Sequence, residues 1–448
     1  MNRLDHTKQP TIFLLIGFIL TCLYALTKIH TPSGLSNSIG LPMILLGFYS
    51  IYRYGKDLSV KTPMLLLLAS IIIPLISWYF AHASYPEITE GSPRLDKLAR
   101  IFLFIPIAWW LKDSSKKVFV FWSLAALTIL FAPWLSGGGW QEIASGLHGN
   151  RITYGLRNWE HVSLFFGFVL IGLICFSSRI FKLHRIFSIL WAIAILFCCY
   201  TIAASQTRAA WLALLAVLGV AAIYFTFQGN IRKSINIKYL VIGVAIALIA
   251  GLSLHKSMGH ILEKRIGAES GVMQHILKGD IENVPYTSIG IRIHMWRASI
   301  DKIKDRPITG WGNNGQFIAI HNTDWMPENI KKHFGHIHNI YIALLTNYGL
   351  IGFIFYFIWF GWILTRILRT VAKGYLKKDI GYFAVTSLTF WSVISLFESY
   401  LFFWTGVLCL QVIFGGLLAF LWNAEINNNT EKKDNSDRDI TVKNTTTI

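Results

Sequence analysis

Residues 336–366 read HIHNIYIALLTNYGLIGFIFYFIWFGWILTR, and the change of character within this stretch decides the fold. Two histidines and an asparagine close a long polar segment. From Ile340 the chain then runs without a charge until Arg366. About twenty such residues cross a bilayer as a helix, so this run predicts a membrane span whose first turn meets water. An imidazole at His338 would sit where a lipid-borne substrate and solvent meet.

The same alternation recurs along the chain. Hydrophobic residues make up 54% of the 448, charged residues only 14%, and the apolar ones fall into runs separated by short basic clusters. That pattern predicts an all-α polytopic membrane protein rather than two or three soluble domains. Spans are expected at 11–29, 39–52, 63–82, 98–111, 118–135, 161–178, 186–204, 209–227, 237–254, 340–365, 381–397 and 400–422, about 12 transmembrane helices. Those at 39–52 and 98–111 are short for a crossing and fit tilted or broken helices. The organisation expected is transmembrane helices 1–9 over 1–254, a periplasmic loop over 255–337, helices 10–12 over 338–422, and a disordered cytoplasmic tail over 423–448.

Lys and Arg set the orientation. With the N-terminus inside, inner connections carry Arg53, Lys56 and Lys61, then Lys112, Lys116 and Lys117, then Arg179, Lys182 and Arg185, then Arg232, Lys233 and Lys238, and finally Arg366, Arg369, Lys373, Lys377 and Lys378. Outer connections hold fewer, and Arg94, Lys97 and Arg100 are diluted by Glu87, Glu90 and Asp96. The long loop therefore faces away from the cytoplasm. The net charge of +18 is largely this topological signal and does not point to nucleic acid. The first span, with no small-residue cleavage site after it, reads as an uncleaved anchor. All five cysteines fall within expected spans, which leaves the loop no disulfide framework or cysteine metal site.

The loop itself looks folded. Ile293, Trp296, Ile300 and Ile303 recur at helical spacing among charged residues, predicting a helix over 290–304 ended at Asp305-Arg306-Pro307. Gly310, Gly312 and Gly315 mark turns, and Pro327 opens a short helix before His333. Gly310-x-Gly312-x-x-Gly315 matches a dinucleotide pattern, but it follows a helix rather than a strand and reads as a turn. Asp437-Arg438-Asp439, an apparent acidic pair, lies in the polar tail on the inner side and reads as chance.

Three residue types carry the chemistry. Arg208, between two spans on the outer side, is either a snorkelling interfacial arginine or a phosphate ligand, because a guanidinium matches phosphate oxygens with paired donors. Arg292 is either an exposed helix residue or a second phosphate ligand. His338 is either a tolerated interfacial histidine or a general base acting on a sugar hydroxyl. A metal reading would join His336 and His338 to a third residue such as His294, without support from an HExxH or cysteine set.

In their order these features resemble the O-antigen ligase family: Arg208 with Leu212, Arg292 and Trp296 ahead of Pro307 and Gly310-x-Gly312, then His338-Asn339 with Gly349 and Gly352. The resemblance extends over most of the chain. It implies a glycosyltransferase of the bacterial inner membrane, facing the periplasm, that moves a polysaccharide from undecaprenyl diphosphate to a sugar hydroxyl of the lipid A core. It further implies His338 as catalytic base, Arg208 and Arg292 as diphosphate ligands, Asn339, Trp296 and Glu398 in support, and no need of a metal or other cofactor. An outer first loop, 30–38, without Asp or Glu agrees with a metal-free reaction. Displacement of the diphosphate from the face opposite the base would invert the anomeric carbon.

Other readings stay open. An O-antigen polymerase would use the same donor with a growing chain as acceptor, and a protein-directed oligosaccharide ligase would use a side chain. A lipid-linked glycan transporter would carry ionisable groups along a path near mid-membrane, whereas here they gather at one face.

Overall fold

A computed structural model describes residues 9–30, 33–227 and 269–445. Among these the chain is helical and contains no strand. The expected span 237–254 lies outside the described residues.

The first helices are α1 (Thr11–Thr27), α2 (Ser33–Tyr54) and α3 (Lys61–Ser84). The second is not short: it begins six residues before the expected 39, because its first turns, Ser33 to Ser38, are too polar to register as apolar. The fourth expected span is broken into α4 (Asp96–Ala99), a 3-10 turn (Arg100–Leu103) and α5 (Phe104–Leu111). Pro106 explains the break, since its ring removes the N–H that would bond the Phe102 carbonyl and crowds that group. Every residue of α5 is buried.

Next come α6 (Ser115–Leu130) and α7 (Ala132–Leu135), divided near Pro133, and α8 (Gly139–Leu147), a helix not foreseen between the expected spans 118–135 and 161–178. They are followed by α9 (Trp159–Cys175), α10 (Ser177–Ile180), α11 (Arg185–Ala204) and α12 (Arg208–Phe227). In the long loop lie α13 (269–277), α14 (Ser288–Asp305), α15 (Gly315–His321) and α16 (Glu328–His333). The helices expected at 290–304 and after Pro327 are present, and α15 starts at a glycine read as a turn. The last three are α17 (Ile340–Ala372), α18 (Lys378–Ile394) and α19 (Trp404–Thr445).

The expected disordered tail is helical to Thr445, and its first turn is docked. Glu425 accepts from the Ser59 N–H at 3.0 Å and pairs with Arg366, while Asn423 donates to the Lys112 carbonyl at 3.0 Å. The acidic pair Asp437 and Asp439 falls where side chains lie outside the described residues.

Among the described residues, five helices are long and apolar enough to cross a membrane: Gly34–Tyr54, Lys61–Ser84, Arg185–Ala204, Ile340–Ala372 and Trp404–Glu431. Thr11–Thr27, Trp159–Cys175 and Arg208–Ile223 are shorter apolar helices. The outward faces are greasy. Leu15, Ile19, Leu65, Leu68, Ile189, Ile193 and Leu215 are all exposed, an arrangement water would not tolerate over so many helices and that lipid would cover. The apolar part of α19 is buried at the centre against α5, with Gly415 against Ile107 and Gly416 under the Trp122 ring. Small residues let helices approach closely where lipid provides no hydrophobic drive.

Helix α17 breaks at Gly349, whose φ of 59° and ψ of −160° are not helical. The glycine-rich turn fits into this break: Trp311 N–H donates to the Thr346 carbonyl at 3.0 Å and Gly312 N–H to the Asn347 carbonyl at 2.7 Å. Amides that a phosphate loop would aim at a ligand are thus spent on α17. A second, smaller core of Met295, Ala298, Ile320, Met326, Ile330, Ile337 and Ala343 fastens α14, α15 and α16 to the first turn of α17.

Candidate active site

Asn339 caps α17, its side chain accepting from the N–H groups of Tyr341 at 2.9 Å and Ile342 at 3.1 Å. The residue before it, His338, has φ +50°, a conformation that costs energy in any residue with a β-carbon. The chain is pinned on both sides of it. Ile337 accepts from Trp296 Nε1 at 2.8 Å and donates to Gln316 Oε1 at 3.3 Å, and Ile340 N–H donates to the Ser395 carbonyl at 2.9 Å. Pinned in this way, the strained turn fixes the direction of the imidazole.

That imidazole meets Glu398, which lies in the connection between α18 and α19 with 1% of its side chain exposed. His338 Nδ1 is 2.8 Å from Glu398 Oε2, His336 Nε2 is 3.3 Å from Oε1, and the Ser399 N–H donates to Oε1 at 2.7 Å. Burial works to raise the Glu398 pKa, but the hydrogen bonds from His336 and His338 outweigh it and hold the carboxyl well below its ordinary value. Burial also lowers the His338 pKa, with Glu398 pulling the other way. A carboxylate only accepts, so Nδ1 carries the hydrogen. Nε2 of a neutral His338 is left with a free lone pair.

The second carboxyl at this site is Glu160, in the first turn of α9, where Asn158 caps the helix by accepting from the N–H groups of Glu160 and His161. Glu160 is within hydrogen-bonding reach of Glu398 and also bonds Arg292 Nη2 at 2.7 Å. Burial, together with the neighbouring Glu398, raises the Glu160 pKa while that of Glu398 is held down, so of the two carboxyls Glu160 takes the proton and Glu398 keeps the charge. Arg292, Glu160, Glu398 and His338 therefore form one connected chain across α14, α9, the α18–α19 connection and the start of α17. Beside it, His161 Nδ1 is 2.5 Å from Thr405 Oγ1, and the exposed Arg157 guanidinium lies 4.1 Å above the Phe403 ring that also packs edge-on to His336.

Of the expected site residues, His338, Asn339, Glu398, Arg292 and Trp296 are brought together. Arg208 is not joined to them: it is exposed at the start of α12 and makes no ion pair among the described residues. Its neighbour Thr207 donates to the Trp159 carbonyl at 3.3 Å, which ties that turn to the base of α9 next to Glu160. His294 is also elsewhere. It is buried with Nε2 2.8 Å from the Val284 carbonyl and its ring stacked on Tyr286, so it cannot complete a cluster with His336 and His338. Glu160, Gln316 and Thr405 escaped the sequence reading. Asn158 followed by an acid in the first turn is an ordinary helix start, which hid Glu160.

Residues 193–357 match the model of a family described as O-antigen ligase. Over this segment the chain is similar to the O-antigen ligase family. The matched segment contains Arg208, Arg292, Trp296, His338 and Asn339, while Glu160 and Glu398 fall outside it. An uncharacterized protein of Haemophilus influenzae is 27% identical over 351 residues, which cover 75% of this chain and 80% of the relative.

Proposed function

We propose that the protein is an O-antigen ligase of the inner membrane, with His338 as general base and its site facing the periplasm. The donor is a polysaccharide on undecaprenyl diphosphate and the acceptor a sugar hydroxyl of the lipid A core. What carries this reading is the His338–Glu398 pair: a strained, largely buried imidazole whose Nδ1 is occupied by a carboxylate and whose Nε2 is free to take a proton.

The reaction divides into tasks that these groups fit. His338 Nε2 removes the acceptor proton as the oxygen attacks the anomeric carbon, and Glu398 stabilises the imidazolium that forms. Arg292 offers charge to the departing diphosphate, with Glu160 holding the guanidinium until the donor arrives. Arg157, over the Phe403 ring, and Arg208, next to the Thr207 that bonds the start of α9, are exposed and serve as further diphosphate ligands. Attack and departure on opposite faces invert the anomeric centre. No step in this scheme calls on a metal. A polymerase would share every step and differ only in the acceptor.

The test is lipopolysaccharide banding in a strain lacking its ligase, complemented with the parent or with His338→Ala at matched membrane abundance. A ladder restored by the parent and lost in the variant supports ligation. A ladder with both removes His338 from its role, and none with either, in a host with a suitable core, argues for a polymerase.

A further inference from the structure

We infer that His336 Nε2, His338 Nδ1 and a Glu398 oxygen form a binding site for one zinc-like divalent cation, and that filling it switches the transferase off. The inference rests on His338 Nε2 being the base. The donor atoms of the three residues lie within 4.8 Å of one another, and the two histidine nitrogens stand 2.8 and 3.3 Å from Glu398 oxygens. Zinc bonds of about 2.1 Å in a tetrahedron set ligand atoms roughly 3.4 Å apart, so small shifts suffice. Two imidazoles and a carboxylate suit zinc better than magnesium or calcium.

The surroundings favour a seated ion. The Ser399 N–H and Glu160 also bond the Glu398 carboxyl and orient it, as outer partners do around metal ligands. His336, with 26% of its side chain exposed, gives a path from solvent and leaves a fourth position for water.

Inhibition follows from the tautomer. In the resting site Nδ1 of His338 carries the hydrogen and Nε2 the lone pair. A metal on Nδ1 needs the lone pair there and moves the hydrogen to Nε2, with no net proton gained or lost. The nitrogen that should accept the acceptor proton is then already protonated. Zinc therefore blocks the base from its Nδ1 side.

The test uses the full chain in nanodiscs, stripped with chelator and titrated with zinc ion alone, read by calorimetry and X-ray absorption. One zinc per chain with nitrogen and oxygen ligands is expected, weakened at least tenfold by His336→Gln or Glu398→Gln and unchanged by His333→Gln, an exposed histidine outside the cluster. In the transfer assay, activity should fall in step with zinc occupancy and return on chelation. Binding that ignores the cluster variants overturns the site, and stoichiometric binding with undiminished transfer overturns the switch. Because binding is read without turnover, the variant series decides the site even where the ligase reading itself fails.

Discussion

Glu398→Gln separates what His338 is from how it is held. The amide can offer Nδ1 either a donor or an acceptor, so the tautomer is no longer fixed, and the charge that raises the His338 pKa is gone. Because Glu398 acts to raise that pKa, its removal lowers it further. The acid limb of the kcat/KM profile should therefore move to lower pH while kcat falls, roughly a hundredfold if orientation by the carboxylate matters as it does for other base–carboxylate pairs. An unmoved acid limb would mean that another group titrates. At this scale the sequence was half legible. A histidine and arginines at the ends of apolar runs were visible as candidates because their types suit a diphosphate and a hydroxyl. That Glu160 bridges Arg292 to Glu398 was not, since it depends on the packing of α9 against a connection more than two hundred residues away.

At the scale of elements, the broken α17 positions the site, and its glycine tests that. A β-carbon at Gly349 would lie 2.2 Å from the Ile308 carbonyl oxygen, on a residue already at φ +59°. Positive φ alone costs a residue other than glycine about 1 kcal/mol, and the backbone clash adds to it. Gly349→Ala should lower the melting temperature in detergent and reduce transfer, because the loop that buttresses the first half of α17 must move. Gly361→Ala on the same helix, where a β-carbon meets nothing within 4 Å, should leave both unchanged. Equal effects would show that the break does not position the site. Helix boundaries were readable where apolar runs begin and end sharply, as in α3 and α11, or where apolar residues recur at helical spacing, as in α14. They were not where a polar first turn hides a helix, as in α2, or where a proline splits a run, as in α5.

At the scale of the whole molecule, orientation is the open consequence of the charge pattern. The native cysteines Cys22, Cys175, Cys198, Cys199 and Cys409 are all buried, so a single exposed cysteine reports alone. Leu277→Cys, in the long loop and 79% exposed, should react with an impermeant maleimide from the periplasmic side, and Lys56→Cys, between α2 and α3, only after the membrane is opened. The opposite pattern would invert the topology and put the His338 pair on the wrong side for a periplasmic reaction. Long apolar runs and scarce charges make the membrane class legible from composition, and the greasy outward faces agree with it; the side on which each end emerges rests on the basic clusters alone.

The most direct test of the account is the rate of polysaccharide transfer by the purified protein from a lipid-linked donor, compared between the parent and His338→Ala with the fold checked by melting temperature. A loss of roughly a hundred- to ten-thousandfold in kcat with the fold intact is expected of a missing general base. A loss of less than about tenfold would contradict the assignment of His338 as the group that takes the acceptor proton.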